Sequence, residues 1–338
     1  MSNVYFKKID NLDDSINDVV YNMLKKVIEK ENVVLNDVVP LKVHFGEKGN
    51  DTFIKPNYFN GIKKYLKENN KKSLYIETNV LYKGSRTLTK DHLETAKEHG
   101  FTDLDIIIAD GEEENMYNEI EVNLKNFKSC KIGYKFSEYS NYIVISHFKG
   151  HAMAGFGGAI KQLAMGFASR GGKLHQHSQS IPIINKDKCI GCGRCVRTCP
   201  VNAISLVDNK AVINKLCVGC ASCSAVCPVG AITNSWQASN FHEKLAEYAY
   251  AASLNKTNVY VQYAFDITEY CDCDGHHMEK IAPNIGLLIS TDPVSLDKAT
   301  YDLFKQQSSI DTFDKAMITL NHAKDIGLGE LEYNLIEE

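Results

Sequence analysis

Residues 141–169 read NYIVISHFKGHAMAGFGGAIKQLAMGFAS. The opening NYIVIS is a short, nearly continuous apolar run, the pattern of a strand covered on both faces. It ends in a turn carrying His147, Lys149, His151, Gly155, Gly157 and Gly158. A helix over 158–169 follows, with Ile160, Leu163 and Phe167 as its core stripe. Strand, glycine turn, helix is the repeating half of a parallel α/β layer.

The same alternation extends outward. Strand-like runs are expected near 3–9, 40–46, 73–78, 104–109, 257–265 and 284–290. Helical periodicity is expected near 14–31, 58–69, 89–99, 239–253, 294–306 and 311–324. The chain has 338 residues, 44% of them apolar, enough for a large core and more than one domain. It opens with neither a basic nor an apolar leader, and no apolar run is long enough to span a bilayer. A net charge of -4 without a basic patch gives no reason to expect nucleic acid or a membrane surface as partner. The expected setting is the cytoplasm.

Eight of the eleven cysteines fall in CIGCGRCVRTCP (189–200) and CVGCASCSAVCP (217–228), two C-x2-C-x2-C-x3-C-P runs offset by 28 residues. In a cytosolic chain this spacing binds iron–sulfur clusters and does not form disulfides. The last cysteine of each run serves the other cluster. The ligand sets expected for two 4Fe–4S clusters are therefore Cys189, Cys192, Cys195 and Cys227, and Cys217, Cys220, Cys223 and Cys199. The chain is thus read as an α/β host with a mostly parallel sheet, over 1–182 and 236–338. An α+β two-cluster ferredoxin-like domain, 183–235, is inserted into it.

Ligands of open α/β sheets lie at the carboxyl ends of the strands, so the loops after 78, 109, 147, 265 and 290 are the places for a site. His147 and His151 are candidate acid–base or ligand groups. Lys161 lies on the helix face made by Ala164, Met165 and Ala168. Gly157 and Gly158 could offer backbone N–H groups to an anion at the helix start. Of the 38 basic residues only Arg86, Arg170, Arg194 and Arg197 are arginine, and Arg86 and Arg170 are candidate anion anchors. EYCDCDGHHM places Cys271 and Cys273 in one loop, as a third metal site, a redox or substrate-contacting pair, or a structural loop. Asp292 is read as the cap of the helix starting at Pro293.

TNVLYKGSR, DHLETAKEHGF, SHFKGH, GFGGAIK, YCDCD and STDPVSLD, with the cysteine-rich insert, resemble the iron–sulfur-centre proteins of the domain of unknown function 362 family across nearly the whole chain. HAMAGFGGAIK with His177 is similar to the H-x3-G-F-x-G-x2-K-x15-H signature of nickel-pincer lactate racemases. That likeness implies a pincer nucleotide on Lys161, nickel on His177 and a base at His151, hence His151, Lys161 and His177 around one pocket and a further metal or nucleotide-type cofactor in the host. The expected activity is that of an oxidoreductase whose clusters receive electrons from a protein donor and pass them to a small-molecule substrate or a cofactor in the host. The alternatives are a ferredoxin-type carrier docking on a partner protein, and a metal-pincer enzyme.

Overall fold

The alternation of the sequence is realised as a chain of sixteen strands and nine α-helices among the described residues, which are all except 14, 83, 112–115, 178–181, 200–201, 218–222, 224–226 and 234–239 of this computed structural model. In order these begin with β1 (Ser2–Lys8), α1 (Ser15–Lys30), β2 (Leu41–Lys42), α2 (Asn60–Glu68), β3 (Tyr75–Glu77), α3 (Thr89–Glu98) and β4 (Ile106–Ile108). Next are β5 (Tyr117–Glu121), β6 (Ser129–Gly133), β7 (Asn141–His147), β8 (Lys149–His151), β9 (Gly155–Gly157) and α4 (Ala159–Gly166). A second unit, Arg170–Phe241, holds α5 (Arg170–His177), β10 (Ile183–Ile184), α6 (Arg194–Thr198), β11 (Ile204–Val207), β12 (Lys210–Ile213) and β13 (Ile232–Thr233). The first unit resumes at His242, the second residue of α7 (Phe241–Ser253), and continues with β14 (Thr257–Ala264), β15 (Gly286–Ser290), α8 (Pro293–Gln307), α9 (Ala316–Asp325) and β16 (Tyr333–Glu337).

The larger unit is built on one eight-stranded sheet of order β16-β1-β15-β14-β7-β2-β3-β4. Every neighbouring pair is parallel except those made by β15, which runs against β1 and β14. Alternate residues of β7 face opposite layers. Ile143 and Ile145 join the core under α1, to which that helix contributes Ile16, Val20, Met23, Leu24, Val27 and Ile28. Tyr142 turns the other way, onto the Phe167 ring just past α4 at 5.2 Å between centroids. Each fully buried side chain of this kind contributes roughly 1.5–3 kcal/mol.

All seven strands expected for the large sheet are present in it, but the 40–46 run enters the ladder only at Leu41–Lys42, because the chain leaves the sheet for the site described below. The last expected helix begins as a 3-10 turn, Thr312–Lys315. The edge strand β16, the hairpins β5–β6 and β8–β9, and helix α5 were not anticipated.

Asp292 caps α8, its Oδ1 accepting from Val294 N at 2.8 Å and Ser295 N at 3.0 Å. Its Oδ2 accepts from Glu330 N and Ser2 Oγ, both at 2.8 Å, so the same carboxylate also ties down the start of β1 and the segment that leads into the edge strand β16. Asp292→Ala is expected to cost about 2–3 kcal/mol, more than a cap alone, in urea unfolding of the whole chain.

Among its described residues, the smaller unit has a small buried cluster of Cys195, Ile204, Ala211, Cys223 and Ile232. Its hairpin β11–β12 turns through Asp208 and Asn209, both in the left-handed region, and β10 pairs with β13. Among the described residues no helix is long and apolar enough to cross a membrane.

Candidate functional site

Because β2, β3, β4, β7 and β14 run parallel, their carboxyl ends open on one edge of the sheet, and the unusual residues of the larger unit collect there. From β2 come Lys42 and, two residues beyond it, His44. Glu77 ends β3, with Arg86 in the loop that follows. His147 ends β7 and Lys149 opens the next strand. The loop after β14 supplies Cys271, Asp272 and Cys273.

Arg86 is wholly buried. Three of its N–H directions go to protein groups: Nε to Glu47 Oε2 at 3.4 Å, Nη1 to His44 Nε2 at 3.1 Å and Nη2 to the Tyr82 hydroxyl at 2.5 Å. Burial alone would raise the Glu47 carboxyl, but hydrogen bonds from Ser85 and the charge of Arg86 outweigh it and hold the group below its ordinary range. His44 also faces a donor on its other side, Gly46 N at 3.2 Å from Nδ1. Burial, reinforced by Arg86, keeps its pKa well below that of a free imidazole. Gly46 takes a φ of +76°, and a Cβ there would stand 2.6 Å from the Phe53 ring, so glycine is needed to aim His44.

His147 sits in the opposite kind of frame. Both its nitrogens face acceptors: Nδ1 lies 3.0 Å from Asp272 Oδ2, and Nε2 lies 2.8 Å from Phe265 O. Asp272 is 1% exposed and also receives Lys149 Nζ at 3.0 Å. Burial opposes the Asp272 carboxylate, but His147 and Lys149 together hold its pKa well below the usual value. The same pairing lifts Lys149 above an ordinary lysine despite its burial. A further buried pair, Lys42 with Glu77 at 2.9 Å, lies beneath, where burial pulls the lysine down and Glu77 partly restores it.

Cys271 is buried in this charged surrounding. Its sulfur shares a hydrogen bond with Cys273 Sγ at 3.3 Å and lies 3.6 Å from Lys161 Nζ. The bond to Cys273, with the charges of Lys161 and Lys149, draws the Cys271 pKa well below that of a free thiol, and the same bond pushes Cys273 well above it. Cys273 lies 3.4 Å from His44 Nε2. Lys42 pairs with Glu77, Arg86 with Glu47 and Lys149 with Asp272, and Lys161 lies against Cys271.

Of the residues singled out in the sequence, Arg86, His147, Lys161, Cys271 and Cys273 meet here. Gly157 lies beside two lysine stems: a Cβ there would be in ordinary contact, 3.4 Å from Lys161 Cδ and 3.5 Å from Lys149 Cε. The other glycine reading is corrected. The start of α4 is filled by Asp297, which accepts from Ala159 N at 2.7 Å and Ile160 N at 2.9 Å, and a Cβ on Gly158 would collide with that carboxylate. Gly158 therefore admits an internal anion; burial pushes the Asp297 pKa up to about 7 against those backbone bonds. His151 Nδ1 accepts from Met153 N at 3.2 Å and Ala154 N at 3.0 Å, holding the turn between β8 and β9. Arg170 opens α5 and His177 ends it, stacked on Phe241 at 5.0 Å; both belong to the smaller unit. His44 and Glu47 went unnoticed in the sequence, although a histidine and an acid straight after a strand end are the available signal. Among the described residues, no three His, Cys, Asp or Glu side chains are grouped to hold a single metal ion.

In the smaller unit Cys189, Cys192, Cys195 and Cys227 line one small, partly open void. Backbone N–H groups point at the sulfurs: Ala211 N at 3.4 Å from Cys189, Ala203 N at 3.1 Å from Cys199, and Ala231 N at 3.2 Å from Cys227. The last two bonds are related by the 28-residue repeat. The bond from Ala211, helped by Gly191, lowers the Cys189 pKa. Thiolates held by amide donors around a void fit an iron–sulfur cluster. Cys220 lies outside the described residues.

Two curated relatives match short stretches. The ferredoxin-type protein NapF of Haemophilus influenzae is 50% identical over 38 residues, 11% of this chain and 22% of that protein. Ferredoxin-2 of Desulfomicrobium norvegicum is 57% identical over 30 residues, 9% of this chain and 51% of that protein. The chain thus spans about a fifth and about half of these relatives. Among solved structures, a Thermotoga maritima protein gives a TM-score of 0.42 at 8% identity, covering 94% of this chain and 60% of its own. The lactate racemase apoprotein of Thermoanaerobacterium thermosaccharolyticum gives 0.38 at 15%, covering 79% and 51%. A family model matches residues 39–302, and the chain belongs to that family, the Domain of unknown function (DUF362).

Proposed function

We propose that this chain is a cytoplasmic iron–sulfur oxidoreductase. On this reading the smaller unit binds two 4Fe–4S clusters, through Cys189, Cys192, Cys195 and Cys227 and through Cys217, Cys220, Cys223 and Cys199. Such clusters, once bound, take up and release single electrons at low potential. A protein donor supplies the electrons, and the larger unit uses them on a small molecule or cofactor at the carboxyl edge of its sheet. The observation that carries the reading is the buried centre of Arg86, His44, Lys149, Lys161, Cys271 and Cys273 in the same chain as an eight-cysteine ferredoxin repeat. A carrier that only docks on a partner has no use for a dithiol and four lysine and arginine cations at its sheet edge. Buried ionic groups cost free energy and are a common mark of functional sites.

In this centre Lys161, half-buried, is the group placed to grip an anionic ligand beside Cys271, while Asp272 fixes the orientation of His147 and Lys149. The test uses protein purified and reduced without oxygen. It is expected to hold roughly eight irons per chain. An anaerobic small-molecule extract should reoxidise the reduced wild type faster than Lys161→Ala at equal iron content. The proposal fails if both reoxidise alike, or if anaerobic reconstitution yields no iron.

A further inference from the structure

Cys271 and Cys273 have no evident role in holding the fold. Buried cysteines ordinarily sit among apolar side chains as small hydrophobes, whereas this pair faces Lys161, His44 and the Asp272 carboxylate's neighbours. The loop that presents them is held in place from three sides. Asp274 N donates to Cys271 O at 2.9 Å, closing a turn that puts both sulfurs on one side. Glu47 N donates to Asp272 O at 2.9 Å, and the Asp272 carboxylate is fixed by His147 and Lys149. The sulfurs stand 3.3 Å apart, so they would need to approach by only about 1.3 Å to bond. Cys271 is buried and Cys273 half-buried, so the pair is reached from the Cys273 side.

We propose that Cys271 and Cys273 form a redox-active dithiol–disulfide couple, the first acceptor in the larger unit for low-potential one-electron donors. The source of electrons rests on the iron–sulfur reading above; the couple itself rests on the geometry of the loop. In reduction the Cys271–Cys273 bond breaks, two electrons arrive in single steps, and one proton from solvent goes to Cys273. The products are a Cys271 thiolate beside Lys161 and a Cys273 thiol beside His44. Oxidation reverses each term, releasing two electrons and one proton. Lys161 acts as a positioning residue for charge: it favours the reduced form by stabilising the anion, as cations do for strongly oxidising dithiols.

The test poises the full-length, anaerobically purified protein in graded ratios of reduced to oxidised dithiothreitol. Acid quenching, N-ethylmaleimide labelling and mass spectrometry of the peptide containing both cysteines then report the disulfide. A single two-electron transition confined to these cysteines is expected, absent in Cys271→Ser and in Cys273→Ser. Lys161→Met should shift the equilibrium about tenfold toward the disulfide, ~30 mV for a two-electron couple. The proposal is overturned if both cysteines take up the label at every poise, if either bonds elsewhere, or if Lys161→Met leaves the midpoint unmoved. Iron content of the same samples separates the readings: a titrating couple without iron removes the electron source, and iron without a titrating couple removes the dithiol.

Discussion

Asp272→Ala is expected to destabilise the larger unit by about 3–5 kcal/mol near neutral pH, the range for removing one partner of a buried ion pair. The carboxylate is 1% exposed, so water screens little of its interaction with Lys149 and His147. Without it Lys149, itself 6% exposed, keeps a buried charge with no acid beside it. Asp272→Asn should cost less, because an amide oxygen can still accept a hydrogen bond. The pH dependence follows from the depressed pKa of Asp272. A carboxyl with a lower pKa folded than unfolded adds stability that is fully present above its unfolded value, about 4, and is lost as pH falls through the folded one. The gap between wild type and Asp272→Ala should therefore be widest at neutral pH and close in acid. Urea unfolding followed by far-UV circular dichroism at both pH values measures it. A cost below about 1 kcal/mol at neutral pH would contradict the buried pairing, since that is the value of an exposed ion pair.

Much of the fold was legible because its strands and helices advertise themselves locally. The run Asn141–Ser146 and the stripe Ile160, Leu163, Phe167 specify a strand and a helix whatever the rest of the chain does. The direction of β15 is not local. Its run GLLIS reads the same either way, and only its pairing with β1, at the other end of the chain, and with β14 sets it against the sheet. The edge strand β16 carries Tyr333, Leu335 and Ile336 among polar residues, too weak an alternation to stand out. Within the site, the rarity of arginine marked Arg86, but not its partners: its guanidinium is engaged by Glu47, His44 and Tyr82 of the chain itself. Asp272 stood in view between two cysteines, but its partners come from β7 and from Lys149, over 120 residues earlier. Lys42 and Glu77 are charged residues in otherwise apolar strands, and their pairing across neighbouring strands accounts for both. Gly158 shows the reverse case: its lack of a side chain was readable, and the identity of the anion that uses the space, Asp297, was not.

Cys227→Ser is expected to remove the cluster of Cys189, Cys192 and Cys195, and to spare the other. Cys199→Ser should do the opposite. Cys227 belongs to the second sequence repeat, so a ligand scheme in which each run serves its own cluster makes the reverse prediction. The crossed scheme is favoured by the void that Cys227 shares with the first three cysteines of the other run, and by the matching amide bonds to Cys199 and Cys227. Serine oxygen is a poor substitute for thiolate toward iron, so each variant should retain roughly four of about eight irons. The expected consequence for the fold is as large. Among the described residues the buried cluster of the smaller unit is small, Cys195, Ile204, Ala211, Cys223 and Ile232, so on the iron–sulfur reading that unit is expected to draw much of its folding free energy from metal binding. Chelation should make 183–235 sensitive to protease while the eight-stranded sheet keeps its secondary structure, because that sheet has its own core. Electron paramagnetic resonance of the two variants, with iron analysis and limited proteolysis of the apoprotein, separates the schemes. Loss of the same cluster in both variants would refute crossed ligation, and a single cooperative unfolding of the whole chain on chelation would refute the independence of the two units.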